Sequence, residues 1–178
     1  MNSINQEQPE DNHLSLEGKA AVEKIRELAK AASTCFFCTR LKESIPVRTR
    51  PMAVQKVDDQ GSLWFLSASD SHQNKEIAAD PVVQLFFQGS AHSDFLTLTG
   101  KAVISTDRKI IDELWSPFLK TWFTKGKDDP RITVIKVIPA ESYYWDNKHG
   151  NGIAFIKMLT GAALGRTFDD SIEGKLKV

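Results

Sequence analysis

The chain has 178 residues, of which 41% are hydrophobic and 26% charged, which suits one domain with a sizeable core. Lys plus Arg and Asp plus Glu number 23 each, so there is no basic surplus to drive counterion release, and no nucleic-acid partner is expected. The opening MNSINQEQPEDNH lacks the apolar core of a signal peptide and no apolar run is long enough to cross a bilayer. No membrane partner and a cytoplasmic location are therefore expected, with the cysteines reduced.

In chain order, residues 1–13 are expected to be a flexible polar tail. A helix is expected from Ser15, with Ser15 as N-cap and Glu17 in the first turn. Ala21, Ile25, Leu28, Ala29 and Ala32 recur at helical spacing on its apolar face. TCFFCTRL is short, aromatic and apolar, as in a buried strand. PVRTRPMAVQKV, the turn DDQG and SLWFLSA continue as a meander. SHQNKEIAAD predicts a short helix stopped by Pro81, and VVQLFF and DFLTLTGKAVIS predict two more strands. DRKIIDELWSPFL is expected to be helical, with Ile110, Ile111, Leu114, Trp115 and Phe118 on one side. KTWFTKGKDDP is expected to be a loop, and RITVIKVIP and ESYYWD late strands. GIAFIKMLTGAALG fits strand or helix, and DDSIEGKLKV is mostly polar. Short antiparallel strands with a few helices suggest a small barrel with helices outside it.

The CFFC segment invites a redox or zinc interpretation. In a strand, positions three apart point to opposite faces, so Cys35 and Cys38 would neither pair nor share an ion. CFFC carries no turn residue, no second cysteine pair completes a zinc site, and the histidines are scattered. A structural thiol role and no metal site are expected.

Two blocks carry candidate binding chemistry. Arg48 and Arg50 share one face of a strand and could clamp phosphate or carboxylate, though solvated charges on an edge strand would look the same. Pro51 supports an edge or bulge. Next, Ser67, Ser69 and Ser71 precede a helix start, which favours anions through its N–H groups and dipole. His72, Gln73, Asn74 and Lys75 could add donors, while a plainly capped helix is the simpler alternative. Of the tryptophans, Trp115 fits the core, whereas Trp122 and Trp145 could line a planar ligand. Ser-His-Asp order, paired catalytic carboxylates and phosphate-binding glycine loops are absent from the sequence.

Taken in order, RTRPMAV, LWFLSASDSHQNKEIAADPVVQLFF, LTGKAVI, LWSPFLKTWFTKGKDDPRITVIKV and YYWD resemble the FMN-binding split barrels related to pyridoxamine 5'-phosphate oxidase, closest to the general stress protein subgroup. The resemblance implies a mainly β domain over residues 14–160, a six-stranded antiparallel split barrel of Greek-key type with flanking helices, and a C-terminal extension over 161–178. It implies FMN as cofactor, held between the chains of a homodimer, with a nicotinamide nucleotide as possible donor. Carried across, Arg50 would hold the phosphate. Met52, Ala53 and Val54 would pass beside the isoalloxazine, and Gln55 replaces a lysine of the true oxidase. Leu66 and Ser67 match the strand end beside the cofactor. Ser71, His72 and Gln73 match a Ser-Arg-Lys or Ser-x-Lys phosphate motif of the relatives; Gln73 lacks the lysine's charge, which lowers affinity unless Lys75 or Arg48 compensates. Trp145 matches a cofactor-contacting tryptophan, and Trp122 would approach from the partner chain. Asn151 and Ile153 replace the Arg and His that grip substrate in the true oxidase, so that activity is not expected. The remaining expectations are an FMN-dependent oxidoreductase of unknown small-molecule substrate, a non-catalytic flavin carrier or stress sensor, or a barrel that has lost its cofactor.

Overall fold

The computed structural model of the protein describes residues 12–42, 47–148 and 170–178. The strands are β1 (Leu16–Glu17), β2 (Thr34–Thr39), β3 (Arg48–Ala53), β4 (Lys56–Val57), β5 (Leu63–Ala68), β6 (Val82–Gln88), β7 (Phe95–Ser105), β8 (Ile132–Asn147) and β9 (Ser171–Lys177). The helices are α1 (Lys19–Ala32), α2 (His72–Ala79) and α3 (Arg108–Leu114), and 3-10 turns at Pro117–Thr121 and Gly126–Asp128 follow α3.

The strands run β1-β9-β8-β7-β6-β2-β3 across one sheet, and β5, carrying β4, pairs with the first half of β8. All pairings among β2, β3, β5, β6, β7 and β8 are antiparallel, which is the expected six-stranded barrel. Three further strands enlarge it: β4 extends β5, β9 extends β8, and β1 joins β9 in parallel. The polar DDSIEGKLKV segment thus contributes a sheet strand. β3 pairs with β2 alone among the described strands, so the barrel is split beside it.

β8 runs through Pro139 as one strand, where two were expected. Between Thr99 and Gly100 the register with β7 shifts, so that Thr99 faces Glu141 and Gly100 faces Pro139. Such a bulge accommodates the proline, which has no N–H to give the ladder. It also brings the chains close: a Cβ on Gly100 would lie 2.3 Å from the Ile138 carbonyl oxygen.

The main core joins Ile25 and Leu28 of α1 to Phe37, Phe65, Leu85 and Leu98 from the strands. The Phe37 and Phe65 rings meet edge to face at 5.3 Å. A second cluster, including Leu66, Ile111, Leu114, Leu119 and Phe123, lies under α3.

Two helix expectations need correction. α1 starts at Lys19 with Gly18 as N-cap at φ 56°, because Leu16–Glu17 is drawn into the sheet beside β9. Ser15 instead accepts a hydrogen bond from the Lys175 N–H. α3 ends at Leu114, and the Pro117 turn sends Phe118 into solvent, 71% exposed, while Leu119 takes the inward position. Cys35 and Cys38 are free and both buried, Cys35 in the main core and Cys38 with its sulfur 3.3 Å from Thr49 Oγ1. Burial, with a smaller contribution from Cys38, pushes the Cys35 thiol up to about 12, an inert group. The GIAFIKMLTGAALG segment lies outside the described residues.

Candidate functional site

α2 follows β5 by a turn anchored at Ser71. The Ser71 hydroxyl accepts from the Asn74 N–H at 3.1 Å and lies 3.2 Å from Ser67 Oγ at the end of β5. The first-turn N–H groups of a helix have no intrahelical acceptor, so this end attracts anions. Within this first turn, Gln73 is 3% exposed, and its Nε2 has no hydrogen-bond partner. An orphan buried donor at a helix start calls for an acceptor. Next to it, Asn74 donates to Thr133 Oγ1 at 2.8 Å, and Thr133 in turn donates to the Ser67 carbonyl at 3.0 Å. α2 is thereby locked to β5 and β8 from within. His72 and Lys75 are exposed on its outer side.

Arg50 lies on β3, beside the split. It faces the interior alongside Met52, whereas Pro51 and Ala53 point outward and Arg48 is exposed. Arg50 Nη2 donates to Glu76 Oε2 of α2 at 2.6 Å, and Nη1 donates to Thr39 Oγ1 at 3.0 Å. The Thr39 hydroxyl also donates to Glu76 at 2.6 Å. Burial works against the Glu76 carboxylate, yet the bonds from Thr39 and Arg50 hold its pKa below the ordinary value. The expected clamp is therefore tied to α2 by an internal carboxylate. Glu76 and Thr39 were not anticipated from sequence, although Gln73 and Glu76, three apart, share one side of a helix.

The other expected residues divide into two groups. Met52 and Val54 pack against the main core, and Gln55 Nε2 donates to the Ala53 carbonyl. The Gln55 N–H bonds the Trp64 carbonyl at 2.9 Å, tying the end of β3 toward β5. The Leu66 side chain belongs to the second core cluster, so only its backbone could meet a ligand. Trp145 lies on the outer sheet face, where it lines an open depression of about 480 Å³ with Phe36, Pro51, Phe86, Phe95 and Thr97. Trp122 is 57% exposed and stacks edge to face on Phe118 at 5.2 Å, projecting from the turn after α3. Asn151 and Ile153 lie outside the described residues.

A barrel split beside the arginine-bearing strand β3, with a serine-capped helix start after β5, defines a small split β-barrel. The family model for pyridoxamine 5'-phosphate oxidase-like proteins matches residues 20–169, and the chain belongs to that family. It is 27% identical over 134 residues to protein bli-3 of Neurospora crassa, covering 68% of this chain and 64% of that protein. It is 28% identical over 83 residues to general stress protein 26 of Bacillus subtilis, covering 45% of this chain and 59% of that one. The alignments thus span about six-tenths of the length of these curated relatives. Among solved structures, one from Jannaschia sp. CCS1, provisionally assigned as general stress protein 26, superposes with a TM-score of 0.74 at 24% identity, covering 89% of this chain and 99% of that one. The general stress FMN/FAD binding protein of Xanthomonas citri superposes with a TM-score of 0.59 at 25% identity, covering 70% and 87%.

Proposed function

We propose that the chain binds FMN and serves as a flavin-dependent oxidoreductase for a small molecule, without pyridoxamine-phosphate oxidase activity. The observation that carries this reading is the start of α2, which combines the Ser67–Ser71 hydroxyl pair, a buried Gln73 amide without a hydrogen-bond partner and, one turn further on, the Glu76 that binds Arg50 of β3. These residues fit a phosphate: a guanidinium, two hydroxyls, free helix N–H groups and an amide without an acceptor. Arg50 and Ser71 would hold the phosphate, and the backbone of β3 at Met52 to Val54 offers its outer edge to the ring system. When bound, the flavin supplies the hydride chemistry, so the protein's part is to orient it and shield it from water. The exposed aromatic face of Phe36, 60% exposed, and Phe86, with Trp145, favours a second copy of the chain as cover. The homodimer, a nicotinamide nucleotide donor and a cytoplasmic location are parts of the same proposal, as is an approach of Trp122 from the partner chain.

The test is titration of the purified protein with FMN, followed by flavin fluorescence. Saturable quenching is expected, and Arg50→Ala should weaken it by roughly 30-fold, the loss of one charge-assisted interaction. Anaerobic bleaching of the bound flavin by NADH or NADPH, with turnover on an acceptor, would establish an enzyme. A flavin that binds but is never reduced would point to a carrier. Failure to quench at any FMN concentration would sink the flavin reading.

A further inference from the structure

The Arg50 guanidinium already has a carboxylate partner before any ligand arrives, Glu76, whose charge Arg40 also favours. Its side chain is 25% exposed, while that of its Glu76 partner is 13% exposed and bonded on two sides. Thr39, 0% exposed, accepts from Arg50 and donates its hydroxyl proton to Glu76, which suits an ionised carboxylate. In the first turn of the same helix, Gln73 has a neutral amide whose buried Nε2 has no hydrogen-bond partner. A phosphate dianion reaching Arg50 would therefore meet a fixed negative charge on the same guanidinium. Like charges a few ångströms apart in a partly buried site repel strongly.

We propose that Glu76 is a specificity-determining residue of this seat, setting how much negative charge the site accepts and so how well it separates FMN from riboflavin. This rests on the flavin reading above. Glu76 lowers the preference for the phosphorylated flavin, leaving much of the affinity to the ring system. Thr39 gives Arg50 a second acceptor besides Glu76, so the effect assigned to Glu76 is that of its charge and not of holding the arginine.

The experiment compares FMN and riboflavin affinities, by fluorescence quenching, in the wild-type protein and Glu76→Gln. The glutamine retains an acceptor for Arg50 and removes only the charge. FMN is expected to bind about tenfold more tightly to E76Q, as one nearby charge is removed, with riboflavin changed by less than about twofold. Melting of the apoprotein establishes that the variant is folded. Glu76→Met, of similar length and uncharged, gives the same comparison if glutamine is not tolerated. FMN binding that is unchanged or weakened in E76Q would overturn this inference while leaving the flavin reading intact. Tightening of FMN and riboflavin alike would also overturn it, since the effect would not be on the phosphate. Binding of neither flavin by any of these proteins would overturn both.

Discussion

Lys24 of α1 and Asp146 of β8, 122 residues apart in sequence, form an ion pair at 2.5 Å with Asp146 only 8% exposed. The lysine also lies over the Tyr144 ring, 5.6 Å from its centroid, and the Asn147 N–H donates to the same carboxylate. Burial works against the ammonium, but hydrogen bonds to Asp146 and Glu27 keep its pKa above the ordinary lysine value. Lys24→Met would leave the aspartate charge with one backbone donor for company. The expected loss is about 3 kcal/mol, read from urea unfolding, since removing one partner of a buried pair strands the other. The double variant Lys24→Met, Asp146→Leu should recover part of it, and a double variant no more stable than the single one would contradict this account.

Gly100 offers a different kind of constraint. Its added Cβ would collide with backbone, the Ile138 carbonyl, and not with a side chain that can turn away. Gly100→Ala should therefore cost about 2 kcal/mol through displacement of β7 from β8 at the bulge. Thermal unfolding measures it. An unchanged melting temperature would show that the bulge relaxes freely.

Much of this architecture was readable before any coordinates. The apolar strand-like runs VVQLFF and DFLTLTGKAVIS are local signals, and β6 and β7 appear where they place them. The resemblance supplied the barrel class, which the sheet reproduces. What escaped was non-local. The Leu16–Glu17 pair looks like a helix start until β9, some 160 residues later, offers it a strand to join. Strand parity separated Cys35 from Cys38 but could not foresee that Cys38 is itself covered on a face where its neighbour Phe36 is 60% exposed. At α2, Ser71 as the helix cap was legible. Glu76 was not, because it lies on α2 and its partner Arg50 on β3, 26 residues earlier, so only folding brings them together.

The acid limb of stability should report on Asp129. Its side chain is buried and held by the Arg131 guanidinium and then by the Arg131 N–H, which draw its pKa down to about 2. In the unfolded chain an aspartate titrates near 3.9, about two units higher. A depressed folded value means that the stabilisation is present above the unfolded pKa and is lost as pH falls from about 4 through about 2. Asp129→Asn should melt below the wild type at neutral pH, with the gap closing over that acidic window. A gap that stays constant down to the lowest pH would assign the effect to packing.

Gln73→Lys tests the seat from its other side. A lysine there places a charge among buried atoms, where the orphan Nε2 now sits, and desolvation disfavours it in the free protein. The apoprotein is expected to lose about 1–2 kcal/mol, in the range for an unpaired buried polar group. FMN reverses the balance, because its phosphate supplies the missing counter-charge and a charge-assisted bond replaces a neutral one. Affinity for FMN should rise by about tenfold, while riboflavin, which cannot pair with the lysine, gains nothing. Melting scans with and without each flavin measure both effects in one experiment. If FMN fails to restore the stability lost in Q73K, the phosphate is not seated at the start of α2.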